Sequence, residues 1–413
     1  MKIAKYIRKK TSLFITLSLL LSAVCLLSAQ NKNLVDDPTS DEKWINELAN
    51  RVWQGIPGIE RTAGGRLFFT WFTGGEVEPR EENMVILCYS DDDGRTHSPI
   101  KIMAVPPVPG ARCYDPTPWI DPKGRLWYIF CRGSRETAEH GVYARICDDP
   151  DALEPVFGPE FRIGFDDVPF SFRMNKPTVL STGEWIMPVT YSKELIYAWN
   201  AGRDDPEPRD GFSNQPVLHG VSISYDEGKT WSKLHGEVDS PPWALENMII
   251  ELKDGRLWML VRTNAGFLWE SFSTDKGITW SEGKRSNIIT PGSRFFIRRL
   301  SSGNLLLVNH TTNRSRTNIR AQISVDDGKT WSRGLLLDNR PRISYPDGVE
   351  DAEGNIWIIY DFDRNGRGDE RTFGQMVMAR FREEDAMRGR DVSKTVVLRY
   401  VVNSIPMERS IRR

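Results

Sequence analysis

The sequence predicts an all-β fold, a six-bladed β-propeller, on three observations. An eight-residue turn motif recurs along the chain, a longer two-strand pattern recurs six times, and the composition favours short strands over helices. With 33 Gly, 25 Pro and 14 Trp in 413 residues, the chain is rich in turn formers and large packing anchors. Repetition at this scale marks stacked or radially arranged units.

The N-terminal segment, residues 1–29, reads as a signal peptide. Lys2, Lys5, Arg8, Lys9 and Lys10 form a basic leader, and residues 13–27 form an apolar run too short to span a membrane comfortably. Cleavage is expected near Ala29, so export to the periplasm or the medium is expected. Cys25 also follows the apolar run as a lipid-modified cysteine does, but Val24 precedes it where Gly, Ala or Ser is usual. Five of the 55 basic residues lie in the leader, leaving 50 against 56 acidic ones, a net charge of about −6. That balance gives no reason to expect nucleic acid or an anionic membrane as partner.

Residues 30–54 form a lead-in, in which residues 41–53 suit a short helix, and residues 55–405 hold the propeller. Residues 200–211, polar and containing proline, read as a loop inserted in the third blade. Residues after Gln375 supply the closing strands, and residues 408–413 form a frayed tail. Cys88, Cys113, Cys131 and Cys147 are not spaced as a disulfide framework and suit buried free thiols equally well. No His/Cys cluster has metal-ligand spacing, so neither metal nor cofactor is expected.

The first repeat reads Ser-x-Asp-x-Gly-x-Thr-Trp at residues 224–231, 273–280 and 324–331. A fourth copy at residues 90–97 ends in His97 instead of tryptophan. The Asp accepts bonds from the turn's own backbone, the Gly supplies positive φ, and the Trp packs beneath as an anchor. The second repeat aligns on Gly65, Gly124, Gly183, Gly255, Gly303 and Gly354, each between an extended run and an apolar strand. Six copies imply six blades, each copy being the two inner strands of a four-stranded sheet. The first repeat then joins the outer strands, and a degenerate hairpin around residues 143–161 serves the second blade.

Propeller geometry brings equivalent positions of all blades to one mouth of the central channel. Nine residues before the aligned glycine stand Ile56, Asp115, Met174, Glu246, Arg294 and Tyr345. Seven residues after it stand Phe72, Cys131, Thr190, Arg262, His310 and Asp361. A register serving only the core would carry apolar residues here, yet four of the first six can ionise or donate hydrogen bonds.

These Asp boxes, six repeats and polar registers together resemble the sialidase superfamily over essentially the whole chain after the leader. The resemblance implies a sialidase-type propeller with a Tyr nucleophile, an activating Glu, an Asp acid/base and three arginines that grip a substrate carboxylate. The segment ENMIIELKDGRLWMLVR is similar to the family's Glu-to-Arg stretch, which implies Glu246 as activator and Arg262 as a clamp arginine. HTTNRSRTNIRAQIS resembles the stretch that carries another, best matched by Arg316. SYPDGV matches the nucleophile segment, with Tyr345 as nucleophile.

Two departures bear on the substrate. The family's first blade opens with Arg-Ile-Pro, where this chain has Gly55-Ile56-Pro57, so that arginine is missing. The acid/base Asp is also absent, and the first-blade loop offers Glu76, Glu78, Glu81 and Glu82, of which Glu78 is the preferred proton donor. Arg294, Arg173 or Arg132 could replace the missing arginine, and Asp115 is a further substrate-binding candidate.

The resulting expectation is an exo-acting glycoside hydrolase that removes terminal sialic acid or a related acidic sugar from a glycan or glycoconjugate. Two other readings stand beside it. One is a glycosidase for a non-sialic sugar, and the other is a glycan-binding propeller without turnover. Structural roles also suit single residues: a backbone-bonded strand-end Tyr345, an ion pair of Glu246 with Arg262, or a turn-capping Asp115. The Asp-box aspartates, by contrast, read as structural.

Overall fold

The computed structural model describes residues 40–134, 140–163, 170–172, 175–192, 217–241, 244–366 and 372–406. The leader with Cys25, the expected insertion at 200–211, Arg173, Met174 and the tail at 408–413 lie outside them. Helix α1 (Glu42–Asn50) falls inside the segment expected to be helical, and from Glu47 onward the chain forms one compact unit.

That unit is six antiparallel sheets in chain order, as expected. Blade one is β1 (Gln54–Arg61), β2 (Leu67–Thr73), β3 (Met84–Ser90) and β4 (Lys101–Ala104). Blade two is β5 (Ala111–Ile120), β6 (Leu126–Ser134), β7 (Gly141–Cys147) and β8 (Phe161–Ile163). Blade three holds β9 (Phe170–Phe172), β10 (Thr178–Val179), β11 (Trp185–Ser192), β12 (Leu218–Ser224) and β13 (His235–Val238). Blade four is β14 (Leu245–Glu251), β15 (Leu257–Arg262), β16 (Phe267–Ser273) and β17 (Lys284–Ile289). Blade five is β18 (Phe296–Arg299), β19 (Leu305–His310), β20 (Ile319–Ser324) and β21 (Leu335–Asp338). Blade six is β22 (Ile343–Glu350), β23 (Asn355–Phe362), β24 (Thr372–Arg382) and β25 (Val397–Pro406), with helix α2 (Glu383–Arg388) between its outer strands.

Blade three departs from the expected four strands. Its inner edge is broken, β10 pairing with β11 at Trp185 and Ile186 and β9 at Thr190 to Ser192. The six aligned glycines make one turn throughout: each N–H donates to the carbonyl three residues earlier, with φ between 76° and 100°. Only glycine holds that backbone without strain.

Neighbouring blades are stitched by side chains. Glu251 of blade four accepts bonds from the Ser181 backbone and hydroxyl of blade three at 2.7 Å, and Glu350 repeats this on Ser301. Two Asp-box glycines, Gly228 and Gly328, press on tryptophans, and a Cβ at Gly328 would stand 2.5 Å from Trp258 of the preceding blade. On the axis, Lys176 Nζ lies 3.3 Å from both Glu60 and Asp347 and donates to Gly348 O at 2.9 Å, tying blades one, three and six. Such a triad is costly to break one partner at a time. All four described cysteines are free and buried.

Candidate active site

The channel mouth lies where the inner strands begin, and the backbone there is unusual. Ile56, Asp115, Glu246 and Tyr345 have φ of 59°, 49°, 62° and 57°. Each sits in a register slip: Gly55 to Gly58, Tyr114 to Thr117, Leu245 to Asn247 and Ser344 to Asp347. A bulge adds one unpaired residue and re-aims its side chain. Proline follows three of the four (Pro57, Pro116 and Pro346), where no ladder N–H is called for. Left-handed backbone costs a residue with a Cβ about 1–3 kcal/mol, and a β-branched one such as Ile56 resists it most. Four strained residues in one layer make that layer the candidate site.

Tyr345 is the centre of the cluster. Arg262 Nη1 lies 3.1 Å from its hydroxyl and donates to Glu246 Oε1 at 2.8 Å. Glu246 Oε2 is buried and has no hydrogen-bond partner among the described residues. Four guanidinium carbons lie near the Tyr345 ring centre: Arg262 at 5.7 Å, Arg294 and Arg316 at 5.4 Å, and Arg364 at 4.5 Å. Arg316 donates to Gly292 O at 3.0 Å, and burial holds its guanidinium below the ordinary arginine range. Arg294 donates to Pro57 O at 3.1 Å, across the channel in blade one.

Arg364 is the residue that reading the sequence missed. It stands in the loop after β23, three residues beyond the register position of Asp361, where the repeat alignment does not reach. The sequence signal was its counterpart: glycine at position 55, where the similar family has arginine. Arg132, weighed as a substitute, is used elsewhere, since it is bonded to both Glu160 oxygens at 2.7 and 2.8 Å.

Three carboxyls border the cluster. Glu78 Oε1 lies 3.3 Å from Arg364 Nη2, whereas Glu76, Glu81 and Glu82 are exposed. Asp115 is buried, and no hydrogen bond or ion pair engages its carboxyl among the described residues. Burial first, and then Glu78 and Glu246, push it up to about 7, while Arg294 and Arg112 work in the opposite direction. Asp361 accepts bonds from Ser344 Oγ at 2.8 Å and the Ile56 N–H at 3.0 Å, and burial raises its carboxyl above the ordinary range. Among the described residues no group of three or more His, Cys, Asp or Glu is placed to hold a metal ion. No described helix is long and apolar enough to cross a membrane.

Comparison with known proteins agrees with this architecture. The model of the BNR repeat-like domain matches residues 65–358. A Hadza microbial sialidase superposes with a TM-score of 0.61 at 20% identity, over 76% of this chain and 64% of that one. The intramolecular trans-sialidase of Ruminococcus gnavus, solved with oseltamivir carboxylate, gives 0.57 at 15% identity, over 81% and 95% of the two chains. The leech intramolecular trans-sialidase, solved with 2,7-anhydro-Neu5Ac, gives 0.58 at 13%, over 83% and 70%. No curated protein is similar to the chain in sequence. At these identities the likeness is one of fold, a sialidase-type six-bladed propeller, and the chain spans about 64% of the Hadza protein's length.

Proposed function

The chain belongs to the BNR repeat-like domain family, and on that premise we propose that it is an exo-acting glycoside hydrolase for a terminal acidic sugar, sialic acid or a relative. The observation that carries this reading is the Tyr345–Arg262–Glu246 arrangement. One guanidinium nitrogen positions both the phenol and the carboxylate, and Glu246 keeps a buried oxygen free to take a proton. A nucleophile next to an oriented base is the usual mark of covalent catalysis.

Tyr345 Oη attacks the anomeric carbon as its proton passes to Glu246, and the bond to the leaving oxygen breaks as Glu78 protonates it. A phenol suits an anomeric centre that carries a carboxylate, because an anionic nucleophile would be repelled. The surrounding guanidinium groups then stabilise charge developing on the phenol oxygen. Arg262 and Arg316 bind the acid group of the substrate. Asp115, held protonated to about pH 7, can donate a hydrogen bond to a sugar hydroxyl. Export through the 1–29 leader belongs to the same proposal, and the mature N-terminus read by mass spectrometry tests it.

The test of activity is hydrolysis of a fluorogenic glycoside panel by residues 30–413, with α-sialosides, related deoxy-keto acid sugars, uronides and neutral sugars. Release from an acidic sugar, lost in Tyr345→Phe, is expected. Release only from neutral sugars would discard the acidic substrate. Glycan binding that is intact in Tyr345→Phe, with no turnover by the wild type, would make the protein a binding propeller.

A further inference from the structure

The structure assigns recognition of the substrate's acid group to a cavity between blades five and six, with Arg364 and not a first-blade arginine as the deciding residue; the assignment rests on the glycosidase reading above. The cavity has a volume of about 260 Å³, and its lining includes Ser315, Arg316, Arg342, Ser344, Arg364 and Asn365. That is below the usual 300–1,000 Å³ of a small-molecule site. It is ample for an acidic substituent.

The exchange between Gly55 and Arg364 is steric. A Cβ built on Gly55 would stand 2.9 Å from Arg364 Cδ, 3.3 Å from its Cβ and 3.4 Å from Asp361 Oδ2. A side chain at position 55 and the present course of Arg364 therefore exclude each other. Glycine at 55 is what lets a sixth-blade arginine cross the seam to blade one. Once across, Arg364 is braced by Glu78 at 3.3 Å and Asp361 at 3.6 Å, with its guanidinium 4.5 Å from the Tyr345 ring centre.

The charge of the cavity selects an anion. Arg316, Arg342 and Arg364 line it, and the lining carboxylate, Asp363, already accepts from Arg342 Nε at 2.8 Å. Arg316 and Arg364 present the planar forks that a carboxylate can approach: Arg364 Nη2 is paired with Glu78, while its buried Nη1 makes no hydrogen bond among the described residues. The acid group is thus gripped from blades five and six, beside Tyr345 of blade six.

The experiment compares kcat/KM for a fluorogenic α-sialoside and for the same glycoside with its carboxylate converted to the carboxamide. Arg364→Gln is expected to lose about 100-fold on the acid and little on the amide, erasing the preference between them. Arg364→Lys, which keeps the charge without the fork, is expected to recover part of that loss. Gly55→Ala removes no polar group, yet its methyl displaces Arg364 Cδ, so it too should lower the acid preference. Equal losses on acid and amide in Arg364→Gln would overturn the assignment and make Arg364 a brace for Glu78.

Titration calorimetry with the 2,3-unsaturated analogue of sialic acid separates this assignment from the hydrolase reading. Binding by the wild type and its loss in Arg364→Gln, without turnover of any glycoside, supports the assignment while the hydrolase reading fails. Hydrolysis with an unchanged acid preference in Arg364→Gln keeps the hydrolase reading and ends the assignment. Thermal midpoints of the variants confirm that folded proteins are compared.

Discussion

The Asp boxes and the channel mouth use the same side chain for opposite purposes. In each of the four boxes the aspartate is spent locally. Asp226, for example, accepts from Ser224 Oγ, the Thr230 N–H and Thr230 Oγ1 at 2.9, 2.8 and 2.6 Å, in an open turn. At the mouth, Asp115 is buried with no hydrogen bond or ion pair to its carboxyl among the described residues, and Glu246 keeps one oxygen unpaired among them. A motif repeated unchanged in several blades serves the fold, because each blade needs the same turn. A register whose residues differ from blade to blade serves the site, because a site needs one of each.

The largest effect that could break this contrast is at Tyr345. Tyr345→Phe keeps ring, burial and backbone strain and removes only the hydroxyl that meets Arg262 Nη1. Hydrolysis is expected to fall by about 10³-fold or more, with little change in thermal midpoint. A variant that keeps its turnover would move the nucleophile elsewhere. One that loses several degrees of stability would place Tyr345 with the structural residues.

What the sequence made legible follows the same division. The aligned glycines and the Asp boxes obey local backbone rules, so six blades could be counted without a structure. Glu246 and Arg262 were legible because they belong to a single hairpin, in which 16 residues separate a bulge from the end of the returning strand. Arg364 was not, because its loop lies outside the repeat, and Gly55 signals only that an arginine is missing there, not which residue reaches the place instead. The left-handed backbone at Ile56 and Tyr345 was hidden as well, since neither residue favours it and only tertiary packing imposes it; the prolines that follow were the trace it left. The split inner edge of blade three has no counterpart in the repeat pattern.

A second, smaller effect is thermodynamic. Asp115 is raised to about 7 in the folded protein, against about 3.9 in an unfolded chain. Its contribution is fully present below the unfolded value and is lost as pH rises from about 4 through 7. The size is a few kcal/mol, set by burial and by the neighbouring Glu78 and Glu246. Denaturant unfolding between pH 4 and 7.5 should therefore show a decline that Asp115→Asn flattens. An identical slope in the variant would mean that the Asp115 carboxyl is already ionised at low pH in the fold.

The smallest effect has the opposite sign. Asp326 is lowered to about 2, chiefly by its hydrogen bonds with Thr330, and Asp92 likewise by Thr96, while Asp226 and Asp275 are lowered too. Stability from these groups is present above the unfolded value and is lost as pH falls from about 4 through 2. Asp326→Asn should cost roughly a few degrees of thermal midpoint at neutral pH, a difference that vanishes toward pH 2. It should leave kcat/KM of the folded protein unchanged. The effect is small because the turn faces solvent, where water screens the charge and replaces part of each bond that is lost. Lost turnover at an unchanged thermal midpoint would join the Asp boxes to the site and end the division between the two regions.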